Sequence, residues 1–210
     1  MDIMITIPYD IKELTGKDIA IYATLYQMGY GFILSANLYV STWDLVQQTK
    51  LKITDIKESM EKLMGFSEVR IQELDKNKYS VDLGTMFSRM ESFVMLPAID
   101  VSRILNSGLR NRFDLLYLFT CIVKRVDHRA EINKHKYFVT MLPATYFSKV
   151  MNVSVHTIQA NVKILENMGI IYVFRVGNMR HSNLMGMVRN RELIDEYAEM
   201  CGFSQKEKYS

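Results

Sequence analysis

Apolar residues recur in two corresponding sets along the chain, and polar residues separate them at the same intervals. Each set has the spacing expected for the inward sides of two short consecutive helices. At a constant offset of 102 positions, Leu45, Leu51, Ile56, Met60 and Leu63 correspond to Phe147, Val153, Ile158, Val162 and Leu165. Upstream, Ile7-Pro8 corresponds to Leu96-Pro97 at an offset of 89, and Tyr22-Ala23 to Tyr117-Leu118 at an offset of 95. The pattern predicts one unit of about 95 residues present twice, with insertions in loops; chance agreement in a hydrophobic chain is the alternative.

The second unit has the clearer signals. Residues 93–97 end in proline, which disfavours helix in the preceding residue, so they are predicted to be extended. An apolar helix is predicted near residues 111–124, because its leucine, phenylalanine and isoleucine positions nearly encircle it. A short apolar stretch follows at residues 137–141.

A helix-turn-helix and a hairpin are predicted to close this unit. Pro143 favours the first turn of one helix, and Ser154 is placed to cap a second helix over residues 155–168. Gly169 suits the left-handed residue that ends a helix. β-branched and aromatic residues then predict a hairpin over residues 170–188, turning at 177–178.

The first unit follows the same order less clearly. We predict that Thr42 and Thr54 cap its two consecutive helices and that Gly65 ends the second one. The remaining predicted elements are an extended lead at 5–8, a helix at 18–27, an apolar stretch at 37–40 and a hairpin over 67–83.

Helix, turn, helix and hairpin in this order predict a winged helix-turn-helix. The fold class is therefore predicted to be α+β, mainly α with small β wings, in two consecutive winged helix-turn-helix domains related by internal duplication. The predicted boundaries are 1–86 for the first domain, 87–92 for a linker, 93–190 for the second domain, and 191–210 for a C-terminal helix and tail. Helical apolar spacing over residues 191–202 predicts that this helix packs back on the second domain or forms a dimer contact.

A group of these residues resembles a known family. The residues are Leu96-Pro97, Tyr117-Leu118, Ser154 to Ile158, Val162, Leu165 and Gly169-Ile170-Ile171. Their order resembles the winged-helix domains of Gram-positive plasmid replication initiators and is similar to phage replisome organisers. This resemblance implies recognition of double-stranded DNA at repeated origin sites. The chain departs from several such families in having no long extension after its second unit.

Charge is unevenly distributed along the chain. Residues 93–191 hold 14 Lys and Arg against 5 Asp and Glu, a net charge of +9, and contain all four histidines. Residues 1–92 and the tail 192–210 each carry −3. Such asymmetry predicts that the second unit faces a polyanion, with an ordinary solvated basic surface as the alternative.

In a winged helix-turn-helix the second helix of the motif enters the major groove. On helix 155–168, amide, imidazole, ammonium and methyl groups can all address base edges, and cations on the hairpin can contact phosphate. The DNA-binding candidates of the second unit are Lys149, Ser154, His156, Thr157, Gln159, Ala160, Lys163, Asn167, Arg175, Asn178, Arg180 and His181.

The first unit is predicted to recognise DNA less well, because Glu58 and Glu61 on the second helix of its motif would repel phosphate. Its candidates for DNA contact are Lys52, Thr54, Lys57, Lys76 and Lys78. Weak DNA binding and a protein-binding surface are both open, with a slight preference for the second.

The sequence lacks the usual signals of several other classes of protein. No 18-residue apolar run or signal-peptide pattern occurs. The two cysteines, Cys121 and Cys201, are isolated, and no phosphate-binding loop or metal-ligand spacing is present. We therefore predict a cytoplasmic protein, associated with nucleoid or plasmid, that is not an enzyme and has no catalytic residues, metal or cofactor.

Sequence-specific binding of double-stranded DNA in plasmid or phage replication initiation is the leading hypothesis. A transcriptional repressor of the same architecture is the first alternative. A protein-binding adaptor of a replication or partition complex is the second. The expected partners are double-stranded DNA, replication proteins and a second copy of the chain, without a membrane.

Overall fold

The structure is a computed structural model that describes residues 3–8, 14–30, 37–66, 69–82, 93–125, 131–132, 135–136, 139–177 and 182–205. It has mixed α and β structure with small antiparallel sheets, as the predicted α+β class requires. Its packing divides the chain into two compact units, Met1–Tyr117 and Leu118–Ser210. The predicted linker at 87–92 lies outside the described residues.

The first unit contains a three-stranded sheet and a separate pair of strands. Its elements are β1 (Met4–Pro8), α1 (Gly16–Gly29), β2 (Asn37–Ser41), α2 (Thr42–Thr49), α3 (Ile53–Met64), β3 (Ile71–Asp75), β4 (Lys78–Asp82), β5 (Phe93–Pro97), α4 (Ala98–Leu105) and the start of α5 (Arg112–Lys124). The sheet order is β2-β4-β3, with both pairs antiparallel. Helix α1 lies at the centre of this unit, because its apolar residues from Ile19 to Leu25 are fully buried.

The two proline-ended leads, predicted as separate extended segments, pair with each other. β1 and β5 are antiparallel, with Ile5 opposite Leu96 and Ile7 opposite Val94. Helix α4 follows β5 directly and was not predicted from the sequence. The amide of Gln27 on α1 donates to the Ser102 hydroxyl of α4 at 3.2 Å, so α4 is anchored to the central helix.

The second unit contains the rest of α5 and a second set of short elements. These are β6 (Glu131–Ile132), β7 (His135–Lys136), α6 (Ala144–Met151), α7 (Val155–Asn167), β8 (Ile171–Phe174), β9 (Leu184–Met187), a 3₁₀ turn (Val188–Asn190) and α8 (Arg191–Met200). β8 and β9 are antiparallel, and Thr140 pairs with Met185 on the other side of β9.

Helix α8 packs back on the sheet of the second unit, which is one of the two arrangements predicted from its apolar spacing. Ile194 and Ala198 are fully buried against Phe174 and Leu184. The hydroxyl of Tyr172 also donates to the carboxylate of Asp195 on α8 at 2.7 Å.

Two of the predicted helix caps in the first unit are wrong. Ser41, and not Thr42, caps α2: its hydroxyl accepts from the backbone of Asp44, whose carboxylate accepts from the Ser41 backbone in return. Thr54 lies inside the first turn of α3, whose cap position is Lys52 with no side-chain hydrogen bond. In both cases the helix begins earlier than the threonine suggests.

The turns between the paired helices have the same backbone form. Lys50 after α2 has φ of 57°, and Asn152 after α6 has φ of 53°, both left-handed. These residues are 102 positions apart, as are the bounds of the helices that they end. Gly169, with φ of 67°, adopts the left-handed conformation predicted for it after α7.

A buried carboxylate joins α1 to α3 in the first unit. Asp18 caps its own helix by accepting from the backbone of Thr15 at 2.7 Å, and it also accepts from the Ser59 hydroxyl and from Lys62 at 3.1 Å. Burial by itself raises the pKa of Asp18, but the hydrogen bonds from Ser59, Thr15 and Lys62 outweigh it, so the net pKa lies below its usual value.

We expect this carboxylate to make stability dependent on pH. Because the pKa of Asp18 is lower in the folded than in the unfolded chain, its contribution is present above about pH 4 and is lost as the pH falls through the folded value. The difference in unfolding free energy between the parent and Asp18→Asn, measured with urea, should therefore shrink from pH 7 to pH 3. Glu58→Gln, at an exposed carboxyl of α3, is the control. A difference that stays constant with pH would contradict the assignment.

Candidate nucleic-acid interface

Helix α7 is fixed by its cap and by its inward side. The hydroxyl of Ser154 accepts from the backbone N–H of Thr157 at 3.1 Å, so Ser154 is the N-cap that the sequence predicts. Ile158 and Leu165 are fully buried, and Val162 between them is half-buried. The inward side of this helix is therefore the predicted one.

The opposite side of α7 is exposed. We call it the α7 outer face, and it consists of His156, Thr157, Gln159, Ala160, Lys163 and Asn167. All six are candidates from the sequence, and the structure brings them together on one helix. Lys163 and His156 form no ion pair with any residue that the structure describes, so their donors face solvent.

Glu166 is the one carboxylate on α7, and it lies at the border of the outer face beside Gln159 and Lys163 by helical spacing. Arg175, just after β8, donates to its two carboxylate oxygens from both terminal guanidinium nitrogens, and one of these contacts is 2.7 Å. Hydrogen bonding to Glu166 raises the pKa of Arg175 further above its usual value. The pair neutralises the only negative side chain of the helix.

The base of the β8–β9 hairpin has further contacts within the second unit. The backbone N–H of Gly177 donates to the carbonyl of Ser204 at 2.8 Å, and Val176 pairs with Gln205. The backbone N–H of Val176 donates to the Asn183 side-chain oxygen at 3.3 Å. The tip candidates Asn178, Arg180 and His181 lie outside the described residues.

A cleft of about 420 Å³ lies between α6, α7 and the hairpin. Phe147, Val173 and Met185 form part of its apolar floor, and Gln159 and Lys163 lie on its rim. Lys149, predicted to contact phosphate, is exposed on α6. The outer face and the cleft thus form one continuous surface with amide and ammonium groups over an apolar base.

The helix in the corresponding place of the first unit has a different surface. Thr54, Glu58 and Glu61 of α3 are exposed, as the sequence predicts. Asp55 is half-buried and forms an ion pair with Lys17 on α1 at 2.8 Å. Lys52, at the cap position before α3, is exposed, and Lys57 on the helix is half-buried.

The β3–β4 hairpin of the first unit is short. Its turn consists of Lys76 and Asn77, and the carbonyl of Asn77 accepts from the backbone N–H of Thr42 at 2.9 Å. β2 pairs along the whole length of β4, with Ser41 opposite Lys78. The exposed candidates Lys76 and Lys78 therefore lie at one end of the sheet, on a hairpin with no protruding tip.

Sequence reasoning missed Glu166 as a component of the site. A single glutamate on a polar helix face is common, and its partner Arg175 comes from another element. Among the described residues, no group of three or more His, Cys, Asp and Glu could hold a metal ion. No helix of the described ranges has the length and apolar character needed to cross a membrane. No family model matches the chain, and no curated protein is similar to it in sequence.

Proposed function

We propose that this chain binds specific sequences of double-stranded DNA through two winged helix-turn-helix domains, with the α7 outer face as the main reader. The order of elements supports this architecture. In the first unit, α1 to β4 follow the order helix, strand, helix, helix, hairpin. In the second, the order from α5 to β9 is the same when the isolated bridge at Thr140 takes the place of the strand and the short β6–β7 pair is an insertion. In both cases the last strand pairs on one side with the first and on the other with the second.

The observation that carries the proposal is the composition of the α7 outer face. Gln159 can pair with adenine through two hydrogen bonds, and Lys163 and His156 can donate to the acceptors of guanine. The methyl groups of Ala160 and Thr157 suit contact with thymine. These side chains are exposed on a helix whose single carboxylate is neutralised by Arg175, so nothing on the helix carries an uncompensated negative charge toward phosphate.

We further propose that the DNA binding serves replication initiation of a plasmid or phage, on the resemblance of the sequence to replication initiators. A transcriptional repressor with the same architecture needs the same site chemistry. Clustered direct repeats in the selected DNA would favour initiation, whereas one palindrome over a promoter would favour repression.

The acidic face of α3 favours a second, protein-binding role for the first unit. Glu58 and Glu61 are exposed and form no ion pair with a described residue, so they would repel a duplex and attract a basic partner. This unit carries a net charge of −2 over residues 1–117, against +5 over residues 118–210.

Selection of binding sites from random duplexes by the full-length protein tests the main proposal. We expect a defined sequence to be enriched, and affinity for it to fall with salt at a log–log slope of about −5 to −7, because about six to eight cations would contact phosphates. A random duplex of equal length is the control. No enrichment at physiological salt, or a slope near zero, would contradict DNA recognition. Retention of a protein partner without DNA would then favour the adaptor role.

A further inference from the structure

The three residues that follow β8, Arg175 to Gly177, form contacts on two sides. On one side, Arg175 donates to Glu166 of α7 from both terminal guanidinium nitrogens. On the other, Gly177 donates to the carbonyl of Ser204, and Val176 pairs with Gln205. These three consecutive residues form the base of the hairpin, so the contacts hold this base in place between α7 and residues 204–205.

The ion pair with Glu166 limits the other contacts that Arg175 can make. A guanidinium bound through two nitrogens to one carboxylate is satisfied in its preferred planar geometry. A phosphate contact by Arg175 would require this pair to break, and the guanidinium would then no longer offset the charge of Glu166 beside Lys163. Such a carboxylate would oppose the approach of a phosphate backbone.

We propose that Glu166 is a positioning residue, which through Arg175 holds the base of the hairpin, residues 175–177, in a fixed place beside the α7 outer face, and that Arg175 does not itself contact DNA. This inference rests on the proposed DNA binding. The sequence predicts that Arg175 contacts DNA, whereas this inference gives it the role of supporting the hairpin base. It also adds Glu166 as a determinant of specificity.

The double variant Glu166→Gln/Arg175→Gln tests the assignment, because it removes both charges and leaves the net charge unchanged. With the duplex selected from the random pool, the ratio of specific to random binding should fall about tenfold, comparable with the loss of one good base contact. The salt slope should equal that of the parent. A slope reduced by about 0.9 with an unchanged ratio would show that Arg175 contacts phosphate and would overturn the proposal.

The charge-swapped variant Glu166→Arg/Arg175→Glu is the matched rescue. It restores an ion pair between the same positions, so it should recover part of the lost specificity ratio. A direct contact of either native side chain with a base predicts no such recovery, because the swap moves each group to the other position. If the charge-swapped variant has the same ratio of specific to random binding as the neutral double variant, the ion pair does not position the hairpin base.

Amide hydrogen exchange separates this inference from the proposed function, because it needs no DNA. In the full-length neutral variant, the amides of Val176 and Gly177 should exchange about tenfold faster than in the parent, while those in the buried part of α1 keep their rates. Unchanged exchange at both residues would refute positioning, whether or not DNA binds. If the neutral variant exchanges faster but the parent selects no duplex, the link between α7 and the hairpin base is supported. Only the DNA-binding proposal is then rejected.

Discussion

Lys163→Glu should abolish selective binding of the target duplex, with affinity falling roughly 30- to 1,000-fold, equivalent to about 2–4 kcal/mol. The exposed ammonium lies on the α7 outer face and on the rim of the adjoining cleft. Its replacement removes a donor to guanine or phosphate and adds a repulsive charge at the same place. Fluorescence anisotropy with the selected and random duplexes gives both affinities.

Two further variants show whether the effect belongs to the site. Arg110→Glu makes the same kind of charge reversal at an exposed cation of the first unit that no candidate site includes, so it should change affinity far less. Gln159→Ala leaves the charge unchanged and should relax base preference at a cost of about 1–3 kcal/mol. Equal losses from Lys163→Glu and Arg110→Glu would mean that only overall charge matters, and α7 would no longer be the reader.

Gly16→Ala should destabilise the first unit by about 3 kcal/mol or more, although it adds one methyl group. An added Cβ would lie 1.9 Å from the carbonyl oxygen of Phe113 and 2.6 Å from its carbon. These are backbone atoms at the start of α5, so they cannot move aside as a flexible side chain could. Relief of the overlap would displace the start of α1, whose following residues form the centre of this unit.

Gly65→Ala is the matched control for this substitution. Gly65 also adjoins a helix, but its φ is −76° and an added Cβ would lie 3.2 Å from the nearest atom, the carbonyl oxygen of Lys62. We expect its unfolding midpoint to stay close to that of the parent. Urea titrations followed by circular dichroism compare the two. A Gly16→Ala protein with the parent's midpoint would show that α1 and α5 do not approach so closely.

Sequence reasoning worked best where the signals were local. Ser154 before α7, Gly169 after it, and the inward spacing of Ile158 and Leu165 all depend on neighbouring residues, and each of these predictions is confirmed. The exposure of the α7 outer face follows from the same helical period. The sequence alone therefore placed the candidate residues of this helix on one side.

Two errors came from local signals that were incompletely weighed. The serine at position 41 is followed three residues later by Asp44, which is the spacing of a capping box, and this favours Ser41 over Thr42 as the cap. At the next helix, the left-handed Lys50 completes the turn early enough for α3 to begin at Ile53. A threonine near a helix start is a weaker signal than the complete box.

Features that depend on distant parts of the chain could not be predicted. The pairing of β1 with β5 joins segments about 90 residues apart, and neither segment carries a pattern that names its partner. Helix α4 begins directly after Pro97, as α6 begins after Pro143, so this helix did carry a local signal, which was assigned to the extended lead alone. The contact between Glu166 and Arg175 depends on the angle at which β8 leaves α7, which local propensity does not specify.

The pairing of β1 with β5 affects how the protein can be dissected. A fragment ending within residues 83–92 would lose the partner strand of β1 and the helix that binds Gln27. It would expose the unpaired backbone of β1, which is a template for aggregation. A fragment that begins at residue 93 would carry β5 without its neighbour. Truncations intended to isolate the first unit should therefore retain the chain at least through Tyr117, because this unit includes the start of α5, where Phe113 lies against Gly16. Insolubility of pieces that lack β5 would reflect the missing strand and carry no information about nucleic acid.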